Sequence, residues 1–287
     1  MYRQNINCDL VAGLIKAQFP RWADLPLKCI EPGGWDNRSF RLGDEMVVRL
    51  PSAACYSAQV EKEQRWLPVL ARDLPFAVPV PLALGQPGEN YPWHWSVYGW
   101  IKGETVAPHR LADSVQFARS LAAFLGALHR IDASTGPAPG DHNFYRGAPL
   151  EHYDRETREA IARLNGSIDA SKIVGAWEAA LGSRWRQPPV WVHGDISPEN
   201  LLVLEGGLSA VIDFGCCGVG DPACDLVMAW TFFGPNERAA FRADLPLHSG
   251  TWARGRGWAL WKALKSFAGG ASSARDKFGS LYARAGP

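Results

Sequence analysis

The chain has 287 residues, of which 47% are hydrophobic and 21% are charged, a composition typical of a soluble globular protein of about two domains. This composition excludes disordered, collagen-like and fibrous classes. The 30 lysines and arginines against 29 aspartates and glutamates leave a net charge of +1. The overall charge therefore gives no reason to expect a nucleic-acid partner.

Targeting and membrane signals are not recognisable in the sequence. The N-terminal segment contains one short apolar run, Leu10 to Ile15, without a small-residue cleavage site behind it, and no run approaches the length of a membrane span. The 6 cysteines show no CxxC pairing, which favours free thiols in a reducing compartment. We therefore expect a cytoplasmic protein without a membrane partner; its oligomeric state is not indicated.

The first third of the chain carries mostly strand patterns. Asp9 is predicted to cap a short helix, and the stretch from Leu25 to Arg49 is typical of a β-meander broken by glycine-containing turns. Apolar residues spaced between charges predict a helix over Ser57 to Leu70, and Trp95 to Ile101 is typical of a strand. This part of the chain is therefore expected to be a small, β-rich unit.

The pattern changes after this strand. A strong helical period covers Asp113 to His129, and helices dominate beyond it except for one β-rich island from Val190 to Phe214. We therefore predict an α+β, two-lobed fold. A small β-rich N-terminal lobe would span residues 1–101, and a larger, mainly helical C-terminal lobe would span residues 102–287.

The most informative segment is a predicted β-hairpin in this island. Two apolar, extended runs flank the paired glycines Gly206 and Gly207, and paired glycines favour a two-residue hairpin loop because both positions accept positive φ. Pairing residues equidistant from this turn predicts Asn200 opposite Asp213. Directly opposed residues lie about 4.5–5.5 Å apart, so an amide and a carboxylate would meet at one strand end.

An amide oxygen and a carboxylate at that separation are hard ligands suited to Mg²⁺ held together with nucleotide phosphates. Asp195 precedes Asn200 by only five residues, with Pro198 favouring a tight turn between them. A carboxylate beside a metal-bound phosphate is placed to orient a nucleophilic hydroxyl and receive its proton. These residues therefore predict a metal–nucleotide site in which Asp195 has a separate role.

The stretch His193 to Asn200, followed by Asp213-Phe214-Gly215, resembles the catalytic loop and metal-binding triplet of protein kinases. Gly194 stands where those enzymes have an arginine, and Ser197 where they have a lysine. His-Gly-Asp followed by Asn is similar to the form found in the aminoglycoside phosphotransferase and choline kinase family, which phosphorylates small molecules. The resemblance covers most of the chain and implies a bilobal, protein-kinase-like fold.

The resemblance also implies roles for individual residues. Asp195 would be the catalytic base, Asn200 and Asp213 would bind Mg²⁺, and Asp225 would brace the catalytic loop. His193 is interpreted as a structural hydrogen-bonding residue. The remaining residues assigned to the nucleotide are Gly34 and Asn37 of the nucleotide loop, Arg49 of the third strand, Glu63 of its pairing helix, and Tyr98 and Trp100 near the adenine.

The leading interpretation is transfer of the γ-phosphoryl group of Mg-ATP to a hydroxyl of a small molecule, with GTP not excluded as donor. Arg49 departs from the commoner lysine, and these two residues are not interchangeable. This departure supports the alternative interpretation, a nucleotide-binding pseudokinase that acts as an interaction module. A protein kinase is disfavoured because the catalytic-loop arginine and lysine are missing and no Ala-Pro-Glu segment follows Asp213.

The phosphate acceptor is less constrained by the sequence. A polycationic aminoglycoside requires carboxylates, but arginines among the acidic candidates oppose a purely acidic pocket. Aminoglycoside-like antibiotics, sugars, macrolides and amino alcohols therefore remain equally admissible. The candidates chosen by position alone are Asp141, Glu151 and Asp154 in the middle of the chain, and Trp230 and Phe233 after Asp225.

Overall fold

The computed structural model describes residues 5–31, 33–34, 36–163 and 170–268. Strands are concentrated in the N-terminal part and helices in the C-terminal part, which confirms the predicted α+β class. The strands are β1 (Leu27–Cys29), β2 (Asn37–Leu42), β3 (Met46–Pro51), β4 (Pro81–Gly85), β5 (Trp95–Gly99), β6 (Glu104–Thr105), β7 (Val190–Val192), β8 (Leu201–Leu204), β9 (Gly207–Val211) and β10 (Gly218–Gly220). The helices are α1 (Cys8–Gln18), α2 (Ala54–Leu70), α3 (Ser114–Leu128), α4 (Asp154–Arg163), α5 (Ala170–Leu181), α6 (Met228–Thr231), α7 (Pro235–Asp244) and α8 (Ser249–Ala268).

The N-terminal part is an antiparallel, 5-stranded sheet in the order β1-β2-β3-β5-β4 within the described residues. Inward-facing side chains such as Phe40 of β2 and Val48 of β3 form its core with α1, as the alternating pattern of the meander predicts. The cap of α1 differs from the prediction. Asn7, rather than Asp9, accepts a hydrogen bond from the Leu10 backbone N–H at 3.0 Å.

Helix α2 joins the two parts of the molecule. It begins three residues earlier than predicted, at Ala54, and ends at Leu70 as predicted. Its Trp66 packs against Trp191 of β7, with ring centroids 5.0 Å apart, so α2 contacts both the N-terminal sheet and the core of the C-terminal part. Residues on α2 are therefore held at a fixed distance from the loop that follows β7.

The C-terminal part is built mainly from packed helices. Helix α3 begins after Asp113, whose carboxylate accepts the backbone N–H groups of Val115 and Gln116 at 2.9 Å each, the preferred use of aspartate at a helix N-terminus. Helix α8 packs against α5, where Trp177 and Trp258 are fully buried. Within the described residues, no helix combines the length and apolar character needed to cross a bilayer.

The turn between β8 and β9 lies one residue earlier than predicted. Glu205 and Gly206 have φ values of 53° and 79°, so they form the two-residue loop and Leu204 pairs with Gly207. Both central positions of such a turn require positive φ. Glu205 adopts this conformation, and the second glycine starts the returning strand.

A register shift then changes which residues meet at the far end of the hairpin. The irregularity between Leu202 and Val203 is followed by a hydrogen bond of 2.9 Å from the Ile212 backbone N–H to the Asn200 carbonyl oxygen. Asn200 is therefore opposite Ile212, and the predicted pairing with Asp213 is wrong by one residue. Asp213 nevertheless follows directly, so the amide and the carboxylate lie at the same end of the hairpin.

Candidate active site

The loop after β7 carries Asp195 and is held from beneath by Asp225. The Asp225 carboxylate accepts the backbone N–H of His193 at 2.8 Å and that of Gly194 at 2.7 Å. Burial raises the pKa of Asp225 to about 7, whereas the two backbone donors act in the opposite direction. Two donors aimed at one buried carboxylate fix the backbone on which Asp195 stands.

The side chain of His193 is a structural part of this loop. It is fully buried, and its Nε2 lies 3.0 Å from the Ile212 carbonyl oxygen while its Nδ1 accepts the Asp195 backbone N–H at 3.2 Å. Burial lowers the pKa of the imidazole. A neutral ring that donates through Nε2 satisfies both contacts and links the segment that carries Asp195 to the end of the hairpin.

Gly194 explains why the arginine of protein kinases is not accommodated here. Its φ is +82°, and a Cβ at this position would lie 2.3 Å from the Cys216 carbonyl oxygen. Left-handed backbone and such a close approach both favour glycine. The departure from the protein-kinase sequence is therefore a packing requirement of this chain.

Asp195 accepts hydrogen bonds on both carboxylate oxygens. Lys262 of α8 donates to Oδ1 at 2.6 Å, and Asn200 Nδ2 donates to Oδ2 at 3.2 Å and to the Asp195 carbonyl oxygen at 2.9 Å. Burial alone would raise the pKa of Asp195, but the attraction and hydrogen bond of Lys262, together with the attraction of Arg146 and His193, outweigh it and the pKa is lowered. Lys262 was missed by the sequence analysis because it lies on α8, 67 residues from Asp195.

Asp213 lies beside the basic residue of β3. Its φ of 65° is left-handed, a conformation that aspartate tolerates better than most residues. Arg49 Nη2 donates to Asp213 Oδ1 at 2.8 Å, and Arg49 Nη1 lies 3.6 Å from Glu63 Oε1. The structure thus brings the predicted pair Arg49 and Glu63 together, with the guanidinium closer to Asp213.

The donor set at the end of the hairpin fits Mg²⁺. Because the amide nitrogen of Asn200 faces Asp195, its oxygen remains an acceptor, and Asp213 supplies a carboxylate next to it along the hairpin. No cluster of three or more His, Cys, Asp or Glu side chains suited to a metal occurs in the part of the chain that is described. One amide and one carboxylate suit an ion that retains waters and phosphate oxygens.

Two further residues on the N-terminal side were not singled out from the sequence. Burial and repulsion from Asp213 raise the pKa of Asp36, in the nucleotide loop, to about 6. Lys62, next to Glu63 on α2, donates to the Gly215 carbonyl oxygen at 2.7 Å, and burial lowers its pKa. Asp36 therefore adds negative charge near Asp213, while Lys62 fixes the segment that follows it.

The predicted nucleotide loop leads into β2. Gly34 is exposed, and a Cβ there would lie 3.1 Å from the Asn37 carbonyl oxygen. The backbone of Asn37 therefore passes close to Gly34. Asn37 is the first residue of β2 and is paired with Pro51 of β3. The loop therefore connects strands on the same sheet that carries Arg49.

The residues expected near the adenine are at the end of β5. Tyr98 is buried, and its hydroxyl donates to Glu63 Oε2 at 2.6 Å. The Trp100 backbone N–H donates to the Glu45 carbonyl oxygen at 2.7 Å, so this donor is already used within the sheet. Contacts to a base from Trp100 would have to use its carbonyl oxygen or its ring.

Residues 30–259 match the model of the phosphotransferase enzyme family known as APH. The chain belongs to this family. An aminoglycoside 3'-phosphotransferase of Escherichia coli is 29% identical over 131 residues, which are 40% of this chain and 42% of that relative. The chain spans about half the length or less of the curated relatives that it matches.

Solved structures similar to this phosphotransferase-family chain cover nearly all of it. The GDP complex of wild-type aminoglycoside 2'-phosphotransferase-IIIa has a TM-score of 0.77 and 17% identity, covering 97% of this chain and 98% of that one. Macrolide 2'-phosphotransferase MphH from Brachybacterium faecium, as the apoenzyme, has a TM-score of 0.62 and 24% identity, with 97% and 98% covered. These likenesses confirm the protein-kinase-like fold.

The carboxylates considered as acceptor contacts in this phosphotransferase-family chain have partners other than Asp195. Glu151 lies 3.3 Å from Arg184, and Asp154 accepts from Arg158 at 2.8 Å on the same helix. Asp141 lies in a short 3-10 turn and hydrogen-bonds Tyr145. Glu151 and Asp154 are thus engaged by arginines at the surface.

The aromatic candidates for the acceptor pocket belong to the core. Trp230 packs near Trp252, with ring centroids 6.0 Å apart, and Phe233 packs against Phe241 at 5.3 Å. Both Trp230 and Phe233 are buried. The expectation that they line an acceptor pocket is therefore replaced by a packing role between α6, α7 and α8, because aromatic residues at helical spacing bury large apolar areas.

Proposed function

We propose that the chain is a Mg²⁺-dependent phosphotransferase that moves the γ-phosphoryl group of ATP to a hydroxyl group of a small molecule. The observation that carries this proposal is the convergence of three oxygen-bearing side chains. Asn200 hydrogen-bonds Asp195 at 3.2 Å, and its backbone pairs with Ile212, the residue before Asp213. Family membership supports the reaction class, and the acceptor stays a separate question.

The donor nucleotide would lie between the N-terminal sheet and this group of residues. Solved structures similar in fold include a GDP complex, an ADP-bound enzyme and a streptomycin–ATP ternary complex, which supports a nucleoside phosphate as the common ligand. ATP is the proposed donor, and GTP is the alternative that a direct comparison of the two triphosphates distinguishes.

The proposed step forms one bond and breaks one. The acceptor hydroxyl oxygen attacks the γ-phosphorus, and the bond from that phosphorus to the β–γ bridging oxygen breaks with its electron pair leaving on ADP. The hydroxyl proton passes to the Asp195 carboxylate. Asn200 and Asp213 would hold Mg²⁺, which when bound neutralises charge on the phosphate oxygens.

The side chains around Asp195 and Asp213 supply positioning and electrostatic stabilisation. Arg49 carries a permanent charge and a planar donor fork suited to phosphate oxygens, and Asn200 holds the Asp195 carboxylate in place. Such positioning is the main protein contribution in phosphoryl transfer. A pseudokinase that acts as an interaction module has no need for the complete set of Asp195, Asn200 and Asp213, so turnover separates the two interpretations.

The test is an ADP-release assay with ATP or GTP over a panel of antibiotics, sugars, choline-like amines and amino alcohols. With an active acceptor, Asp195→Asn should lower kcat by about 10²–10⁴ and leave nucleotide affinity within about threefold, a free-energy change below about 1 kcal/mol. Asp73→Asn, at an exposed position after α2, is the matched control. The proposal would be rejected by an undiminished rate in Asp195→Asn. It would also be rejected if none of the acceptors in the panel led to ADP release.

A further inference from the structure

We propose that the acceptor carries an anionic oxygen group, a carboxylate or a phosphate, in addition to the hydroxyl that is phosphorylated, and that Lys262 and Arg146 bind this group. The inference rests on the proposed phosphotransferase function and names its acceptor class. It is carried by a group of cationic and aromatic side chains beside Asp195, called here the cationic face: Lys262, Lys265, Trp258 and Trp261 of α8, and Arg146.

The cationic face is ordered by two tryptophans on α8. Trp258 and Trp261 are both buried and support the guanidinium of Arg146, whose carbon lies 5.5 Å and 4.6 Å from their respective ring centroids. Arg146 Nη1 is 3.4 Å from the Tyr153 hydroxyl. Stacking on aromatic rings orients a guanidinium without using up its hydrogen-bond donors.

The same face touches the loop that carries Asp195. Lys262, the residue after Trp261, donates to Asp195 Oδ1 at 2.6 Å, and Arg146 Cβ lies 2.9 Å from the position of a Cβ on Gly194. Lys265 adds an ammonium group 5.0 Å from the Trp261 ring. Lys262 and Arg146 therefore both act on the Asp195 carboxylate, and Lys265 adds a third cation on the same helix as Lys262.

In the proposed reaction, the cationic face would lie on the acceptor side of Asp195. Asp213 and Arg49, on the nucleotide side, are joined to the N-terminal sheet through β3. Lys262 approaches Asp195 from α8 in the C-terminal part. Because attacking and leaving oxygens lie roughly in line through the phosphorus, the acceptor hydroxyl would approach Asp195 from the side away from the nucleotide.

The charge balance on this side disfavours a polycationic acceptor. Two of the three acidic residues considered from the sequence are ion-paired elsewhere, Glu151 with Arg184 and Asp154 with Arg158, and the third, Asp141, hydrogen-bonds Tyr145. A cationic acceptor would meet Lys262 and Arg146 with like charge, which is costly in a partly buried site. A guanidinium fork beside an ammonium group is instead suited to carboxylate or phosphate oxygens.

Lys262 has one other role that the geometry allows. It could take the place of the catalytic-loop lysine, where this chain has Ser197, and contact only the transferred phosphoryl group. In that case its loss would slow transfer to all acceptors by the same factor. Under the present proposal, the loss of Lys262 changes the preference between anionic and neutral acceptors.

The proposal is tested by binding measurements that do not depend on turnover. The full chain, loaded with Mg²⁺ and a non-hydrolysable ATP analogue, is titrated calorimetrically with glucose, glucosamine, glucuronate and glucose 6-phosphate. The anionic members should bind at least about tenfold more tightly than glucose or glucosamine, the effect of one charged hydrogen bond. The comparison between glucuronate and glucose 6-phosphate shows whether a carboxylate or a phosphate is preferred. A matched set of three-carbon compounds repeats the test with smaller acceptors: glycerol, 3-amino-1,2-propanediol, glycerate and glycerol 3-phosphate.

Variants then assign the preference to the cationic face. Lys262→Gln and Arg146→Gln should each reduce the affinity for the anionic probe towards that for its neutral counterpart, and Lys262→Arg should retain the preference. Lys16→Gln, an exposed charge loss on α1, is the matched control. The fold of each variant is verified by its unfolding transition, since Arg146 also packs on Trp261.

Three binding results would overturn the proposal: tighter binding of the amines than of the anions, no saturable binding of any anionic probe, or an anion preference that survives both glutamine variants. An equal loss of turnover for all acceptors in Lys262→Gln, with relative affinities unchanged, would also overturn it in favour of the phosphoryl contact. Failure of the proposed function is seen separately, as the absence of ADP release while selective binding persists.

Discussion

Arg49 is closer to Asp213 than to Glu63. Its Nη2 donates to Asp213 Oδ1 at 2.8 Å, whereas its Nη1 is 3.6 Å from Glu63 Oε1. The guanidinium therefore compensates the charge of the proposed metal ligand and of the buried glutamate at the same time. A lysine at this position would present all its donors from one nitrogen, so both carboxylates would have to approach a single atom rather than the two ends of a planar fork.

This arrangement predicts the effect of replacing Arg49. Arg49→Met should weaken Mg-ATP binding by about 10- to 100-fold, because a charged hydrogen-bond donor to the phosphates is lost. Arg49→Lys should weaken Mg-ATP binding less, since lysine keeps the positive charge. Titration with a fluorescent ATP analogue measures both, with the exposed Arg72→Met as control. Wild-type affinity in Arg49→Met would exclude a phosphate contact from this residue.

Asp213 should determine how strongly nucleotide binding depends on Mg²⁺. In Asp213→Ala, adding Mg²⁺ should raise nucleotide affinity by less than about twofold, because the carboxylate ligand is missing. Asp213→Asn also removes the charge but tolerates the left-handed backbone at φ 65°, so it separates metal binding from backbone strain. The measurement is a nucleotide titration with and without Mg²⁺. A Mg²⁺ dependence equal to that of the wild type in both variants would refute the assignment.

Tyr98 should contribute to stability through Glu63. Its hydroxyl donates to buried Glu63 Oε2 at 2.6 Å, so Tyr98→Phe leaves that oxygen without this donor and should cost about 1–3 kcal/mol of unfolding free energy. Tyr91→Phe removes a bond of 2.8 Å to a neutral acceptor, the Pro51 carbonyl oxygen, and should cost about 0.5–1.5 kcal/mol. Urea unfolding compares the two. A larger loss in Tyr91→Phe would contradict a charged Glu63.

The residues of the proposed centre could be identified from the sequence because they lie close together along the chain. His193, Asp195 and Asn200 occupy one loop, and a hairpin of local contacts returns the chain to Asp213. The turn was predicted one residue late because paired glycines do not reveal which positions take positive φ. Here Glu205 and Gly206 take it, with φ of 53° and 79°. The irregularity between Leu202 and Val203 then offsets part of that error, so Asn200 lies opposite Ile212.

Contacts between distant segments could not be predicted in the same way. Lys262 follows two tryptophans at helical spacing, a pattern that indicates a buried helix face and gives no information about the loop it approaches. Trp230 and Phe233 show the converse, since proximity to Asp225 in sequence did not distinguish a pocket from the core. The roles of charged and aromatic residues can therefore be assigned only from their tertiary packing.

Gly194 should be sensitive to the smallest substitution. Gly194→Ala places a Cβ 2.3 Å from the Cys216 carbonyl oxygen at a φ of +82°, so it should lower stability by more than about 2 kcal/mol and reduce turnover by shifting Asp195. Gly207→Ala is the control, because a Cβ there meets nothing within 4 Å and should change stability by less than about 0.5 kcal/mol. Thermal unfolding and ADP release report the two effects. Equal stability of the two variants would contradict the packing explanation for the missing arginine.

His129 should make the stability of the protein fall at acidic pH. It lies at the C-terminal end of α3, its Nε2 is buried without a hydrogen-bond partner among the described residues, and burial lowers its pKa from 6.5 to about 4. Between those values the unfolded chain binds more protons, so the unfolding free energy decreases as the pH falls and is constant above about pH 6.5.

Replacing His129 should remove this part of the pH dependence. From about pH 7 to about pH 4.5, His129 accounts for a decrease of about 2 kcal/mol in the unfolding free energy of the wild type. Over the same interval, the unfolding free energy of His129→Phe should therefore decrease by about 2 kcal/mol less than that of the wild type. His109→Phe, at an exposed position, is the matched control for the loss of a histidine. Urea unfolding at both pH values gives the difference, and parallel curves for the wild type and His129→Phe would show that His129 is hydrated in the folded protein.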